Sequence, residues 1–153
     1  MRNVAFLVTL LVFVSCDSSS GFREYHALQD GWSSSEHISF SSDQIVQAPS
    51  DIYIHIRNTN TYPYSNLFLV AELRDSIQVI VRDTLEYAMA DPQGKWLGAG
   101  FLEVKESKLW WKADWNPPHD GPYFIEFSQR VRNNGSVEGV SFLDGIINVG
   151  VSI

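Results

Sequence analysis

The chain has 153 residues, a formal net charge of −7 and a single cysteine, Cys16. That length suits one domain with a sizeable core, and one cysteine rules out an intramolecular disulfide, so packing alone must hold the fold. The acidic balance and the lack of any basic cluster argue against nucleic acid as a partner and against an electrostatic grip on anionic lipid.

In chain order, Arg2 is followed by an apolar run over residues 4–14, then Ser15 and Cys16. A basic start, a short apolar segment and a small residue before the cut form a secretory signal. A cysteine at the cut supplies the thiol that receives lipid, although Phe13 stands where an aliphatic residue is more usual. The run is too short to span a bilayer as a helix. The reading is therefore a lipoprotein signal over 1–15, a lipidated Cys16 with a flexible tether over 16–21 (Asp17-Ser18-Ser19-Ser20-Gly21), and one domain over 22–153.

From there the pattern has period two. Ile52, Ile54 and Ile56 alternate with Tyr53, His55 and Arg57, and Leu67, Leu69, Ala71 and Leu73 share a face. Ile77, Val79, Val81, Leu85, Tyr87 and Met89 do the same, interrupted by Asp83. Leu109, Trp111, Ala113 and Trp115 follow, then Tyr123, Ile125, Phe127 and Val131, and finally Ile147, Val149, Val151 and Ile153. Weaker segments at 22–28, 36–42 and 97–105 complete the set, the last weakened by Gly98 and Gly100. Turn signals such as Pro92-Gln93-Gly94, Asp120-Gly121 and Asn134-Gly135 separate them. These features predict an all-β, antiparallel two-sheet β-sandwich of about eight or nine strands.

Chemistry-bearing patterns are sparse. His26, His37, His55 and His119 lack the paired spacing of a zinc site and read as surface or loop histidines; no metal or cofactor is expected. There is no glycine-flanked nucleophilic serine and no phosphate loop. Carboxylates are numerous, and a facing pair in a cleft would be needed for a glycosidase-like enzyme. The aromatic residues say more. Alternation puts Trp111 and Trp115 on the buried face and turns Trp110 outward between Lys108 and Lys112, where it could anchor a protein partner or stack on a sugar. Residues 57–66 form a polar loop offering Tyr62 and Tyr64, either as recognition contacts or as parts of a hairpin tied down by its own side chains. Phe68 and Val70 fall on the nominally open face of the next strand.

Several strings resemble one family. Arg57-Asn58-Thr59-Asn60 with Tyr64-Ser65-Asn66-Leu67-Phe68-Leu69, Asp83-Thr84-Leu85-Glu86-Tyr87, and Gly94-Lys95-Trp96-Leu97-Gly98 are similar to the GldH family of gliding-motility lipoproteins. So are Val104-Lys105-Glu106-Ser107-Lys108-Leu109-Trp110, Arg132-Asn133-Asn134-Gly135 and Gly145-Ile146-Ile147-Asn148-Val149-Gly150. The resemblance implies lipid attachment at Cys16, the only residue role it carries over, and a place in the cell envelope, expected on the periplasmic face of a membrane. It implies a non-catalytic component or assembly factor of the gliding motility and type IX protein secretion machinery, with envelope proteins of that machinery as partners. The candidate partner-binding residues are Tyr62, Tyr64, Phe68 and Trp110. The alternative is a carbohydrate-binding β-sandwich lipoprotein.

Overall fold

The computed structural model describes residues 21–29, 31–42 and 49–153; the signal, Cys16 and residues 17–20 of the tether lie outside them. The described residues form ten strands and no helix: β1 (Arg23–Ala27), β2 (Trp32–Ser33), β3 (Ile38–Ser42), β4 (Ser50–Asn58), β5 (Asn66–Arg74), β6 (Val79–Ala88), β7 (Lys105–Trp115), β8 (Tyr123–Gln129), β9 (Phe142–Leu143) and β10 (Ile146–Ser152). They pair antiparallel into two four-stranded sheets, β1-β10-β4-β7 and β3-β8-β5-β6, and a small ribbon, β2-β9.

The period-two residues supply the core. Ile52, Ile54, Ile56, Leu67, Leu69, Ala71, Phe127, Val149 and Val151 are all closed to solvent, each large apolar side chain contributing about 1.5–3 kcal/mol by leaving water. The inner faces meet through aromatic edges: Trp111 against Phe127 at 5.9 Å between ring centroids and Trp115 against Tyr123 at 5.1 Å. This is the expected all-β sandwich.

Two stretches depart from plain alternation. In β7 the register against β4 shifts twice, between Tyr53 and Ile52 and again before Ser50. Extra residues on one strand of a pair make a bulge; here Trp111 and Trp115 stay buried while Ala113, expected on their face, is exposed. In β6 the apolar face frays toward its hairpin, with Ile77 and Val79 exposed. Asp83, the polar interruption on that face, accepts a bond from the Trp111 indole at 2.8 Å and an ion pair from Lys112 at 2.7 Å, which joins the edges of the two sheets.

Residues 97–105 do not form the expected strand. Among residues 97–104 only Ala99 makes a β-bridge, bonding Glu106 in both directions at 2.9 and 2.7 Å, and the chain enters β7 at Lys105. A side chain at Gly100 would meet the Val104 carbonyl oxygen at 2.1 Å, so the turn requires glycine. His55 is a second correction. Its ring is 2% exposed, because the β1 residue Tyr25 packs over it, a cross-strand neighbour that alternation within β4 does not show.

The connections sort the sandwich into two ends. At one lie Gly21, the C-terminal Ile153 and the links 75–78 and 116–122. At the other lie 31–37, 59–65, 89–104 and 130–145. The pairing of Trp115 with Tyr123 fixes which ends coincide. Gly21 lies at the end with the shorter links.

Candidate functional site

The loops at the far end are bound into one unit by Tyr62. Its ring is 3% exposed, its hydroxyl donates to the Asn66 carbonyl at 2.6 Å, and burial pushes its pKa well above the ordinary value. Gly145 makes room for it: with φ +77, any Cβ there would stand 2.2 Å from the Tyr62 nitrogen. Around Tyr62 sit Tyr64 at 5.8 Å and Trp96 at 6.1 Å between centroids. Trp96 donates to Asn60 at 3.0 Å, and Tyr64 donates to Asn133 at 2.9 Å. Loops 59–65, 89–104 and 130–145 are thus tied together. Tyr62 serves as the knot, while Tyr64 and Phe68 remain half-buried near the surface.

Phe68 and Val70 point outward from β5, since Leu67, Leu69 and Ala71 point in. With Arg130, Arg132, Asn133 and Asn134 they wall a hollow of about 530 Å³. The arginines escaped the reading of the sequence, although Arg-Val-Arg before an Asn-Asn-Gly turn carries the alternation that places them.

Trp110 lies on the outer face of the opposite sheet, so the four candidate residues do not form one surface. It is 55% exposed and faces Tyr53 across the β4–β7 register. Beside them is a polar cluster. Glu106 takes bonds from the Tyr25 hydroxyl at 2.7 Å and Arg57 Nε at 2.6 Å, and contacts His55 Nδ1 at 3.2 Å. His55 Nε2 meets the Ser152 hydroxyl at 2.8 Å. Burial lowers the His55 pKa, with Glu106 opposing it. Burial would raise Glu106, but the bonds from Tyr25 and Arg57 outweigh it and hold the carboxyl below the usual range. Two rings of this face already carry cations: Arg57 sits 4.4 Å from the Tyr25 centroid and Lys108 sits 3.8 Å from that of Tyr53.

Elsewhere the titratable groups hold structure. His119 Nε2 contacts Asp75 at 3.0 Å and Nδ1 contacts the Asp120 carbonyl at 3.2 Å, so both ring nitrogens are engaged. Asp75 also accepts the amides of Ile77 and Gln78 at 2.6 and 2.7 Å, an Asx turn closing the β5–β6 hairpin. Glu72 and Glu126 face each other in register, but Glu72 is paired with Arg82 at 2.6 Å and Glu126 with His37 at 2.7 Å. Among the described residues no three metal-binding side chains cluster, and no helix is long and apolar enough to cross a membrane.

Two strongly exposed apolar side chains stand side by side at the tip of loop 89–104, Phe101 at 84% and Leu102 at 78%, while Val137 in loop 130–145 is 87% exposed. Leu102 adopts φ +55, a costly conformation for a branched residue. Lys105 steadies it, its ammonium donating to the carbonyls of Gly100 and Leu102 at 3.2 and 3.0 Å. The tip is a built projection.

No solved structure matches the chain. It is 41% identical over 149 residues to the "Gliding motility lipoprotein GldH homolog" of Christiangramia forsetii, covering 97% of this chain and 91% of that one. It is 34% identical over 152 residues to the "Gliding motility lipoprotein GldH" of Flavobacterium johnsoniae, covering 99% and 94%. The profile described as GldH lipoprotein matches residues 20–153, through both loop ends and all ten strands. The chain belongs to the GldH lipoprotein family.

Proposed function

We propose that this protein is a lipid-anchored, non-catalytic component or assembly factor of the gliding motility and type IX secretion machinery, held by Cys16 to a membrane on its periplasmic face. The family membership supports the motility role. The observation that carries the mechanism is polarity: the chain leaves the tether at one end of the sandwich, and the braced loops with Phe101 and Leu102 project from the other. An anchored domain so built presents its loop end away from lipid, toward envelope proteins. Exposed apolar side chains on an ordered projection fit a protein contact. The carbohydrate reading is weaker, because cations occupy ring faces of Tyr25 and Tyr53 and leave Trp110 without a second open ring to extend a stacking platform.

The test is complementation of gliding cells whose own GldH relative is deleted, using the full lipidated chain. A Phe101→Ser/Leu102→Ser double variant should stay anchored and folded yet fail to restore motility. Full restoration would remove the loop tip from the mechanism. Binding of purified protein to envelope glycans, lost on Trp110→Ala, would favour the carbohydrate reading instead.

A further inference from the structure

Beyond the loop tip, the hollow over Phe68 has the chemistry of a recognition site. Gln129 and Val131 are buried at 1% each, so alternation turns Arg130 and Arg132 outward. Gln129 fixes that geometry: its amide donates to the Val140 carbonyl at 2.8 Å and its oxygen accepts the Val131 amide at 3.1 Å. Arg132 bridges Gly139, and the turn closes through the Ser136 amide on the Asn133 carbonyl at 3.0 Å. Tyr64 pins this hairpin from below through Asn133. The two guanidiniums are therefore carried on an ordered support.

They are also available. Arg130 spends one Nη1 donor on the Gln129 carbonyl at 2.7 Å, and among the described residues the Arg132 guanidinium has no hydrogen-bond or ion-pair partner. The closest carboxylate in register with Phe68, Glu86, accepts from Asn66 at 2.8 Å, and Glu138 is not part of the wall. In a chain of net charge −7, two arginines left open over an apolar floor mark a place for an external anion.

We propose that this hollow binds an extended polypeptide segment in which a carboxylate stands beside an apolar side chain. The guanidinium fork matches a carboxylate in two parallel bonds. Phe68 and Val70 stand two residues apart on one strand face, about 6.6 Å, the same interval that separates same-side residues of an extended peptide. Asn133 and Asn134 line the same hollow and bring amide groups that can bond peptide groups. A volume of 530 Å³ takes two or three residues. Polypeptide is favoured over a lipid headgroup because the hollow lies at the end remote from Gly21. That step alone rests on the anchoring proposed above. The carboxylate could be an Asp or Glu side chain or a free C-terminus.

The experiment is binding of the full lipidated chain, in detergent micelles, to an array of random nonapeptides printed with free and with amidated C-termini. The expected result is enrichment of a carboxylate within two residues of Leu, Phe, Val or Ile, weakened at least tenfold by Arg132→Gln and further by adding Arg130→Gln, with melting temperature unchanged. Enrichment confined to free C-termini identifies that source, and enrichment in both prints identifies Asp or Glu. No carboxylate preference, or one that survives the double arginine variant, overturns the proposal. So does displacement of bound peptide by inorganic phosphate at equal concentration, or arginine-dependent binding to phosphatidylglycerol vesicles in preference to peptide. The Phe101→Ser/Leu102→Ser variant should bind the array normally, which separates this site from the loop tip.

Discussion

Trp110 and Trp111 are chain neighbours with opposite surroundings, and the difference fixes what each is for. Trp111 is 5% exposed and bonded to Asp83; replacing it with Ala should cost about 3–5 kcal/mol in a denaturant melt, while Trp110→Ala should cost far less. Equal losses would mean that Trp110 is held as tightly as the core. This contrast was legible in the alternation of β7. The environments of the histidines were not, since they depend on residues distant in sequence. Their titrations follow from those surroundings. The His119 pKa is raised by its bonds to Asp120 and Asp75, so its contribution is full below about pH 6.5 and is lost as pH rises through its folded value. The His55 pKa is lowered by burial among Tyr25, Ser152, Glu106, Arg23 and Lys108. The unfolded chain then takes the proton first, and stability falls as pH drops below about 6.5. In melts against pH, His55→Gln should flatten the acid-side decline, whereas His119→Gln should remove stability present below about pH 6.5 and so flatten the loss seen as pH rises. An unaltered acid-side profile in His55→Gln would show that His55 carries no such linkage.

At the scale of elements, Asp83 is the polar residue that breaks the apolar face of β6, and the structure shows why a carboxylate stands there. Lys112 holds its pKa low, with help from the Trp111 indole, and the pair links β6 of one sheet to β7 of the other. Asp83→Ala strands a buried indole N–H and should destabilise by about 1–3 kcal/mol. Asp83→Asn, which keeps an acceptor for Trp111 but loses the ion pair, should cost less. If Asn and Ala melt alike, the link rests on charge rather than on the indole bond. The eight longer strands were legible because each carries its own alternation. The β2-β9 ribbon was not, because two residues hold no period; its place is set by Trp32 and Leu143, both closed to solvent. Residues 97–105 misled for the opposite reason. Their apolar residues have strand-like content, but the glycines permit a turn so tight that Phe101 and Leu102 end outside the core. The role of Tyr62 was split between contact and brace in the sequence, and its burial beneath Gly145 makes it the brace.

For the whole molecule, the arrangement of ends gives the sandwich a direction. A strand such as β7 runs on the order of 30 Å from end to end. Gly21 and Ile153 share one end, where the Ile153 amide donates to the Phe22 carbonyl at 2.9 Å, and the loops tied by Tyr62 occupy the other. If Cys16 carries the lipid, Cys16→Ala should release a folded, soluble protein, and retention on membranes in high salt would reveal a second anchor. The orientation can be read separately. With Cys16 blocked by its lipid, a single cysteine introduced as Ser76→Cys labels the tether end and one introduced as Asn134→Cys labels the loop end; both positions are exposed. On vesicles bearing a headgroup quencher, dye at position 76 should be quenched markedly more than dye at position 134, even with a tether that lets the domain tilt. The reverse ranking would put the arginine hollow and the loop tip against the lipid, and would turn both from protein-facing surfaces into membrane-facing ones.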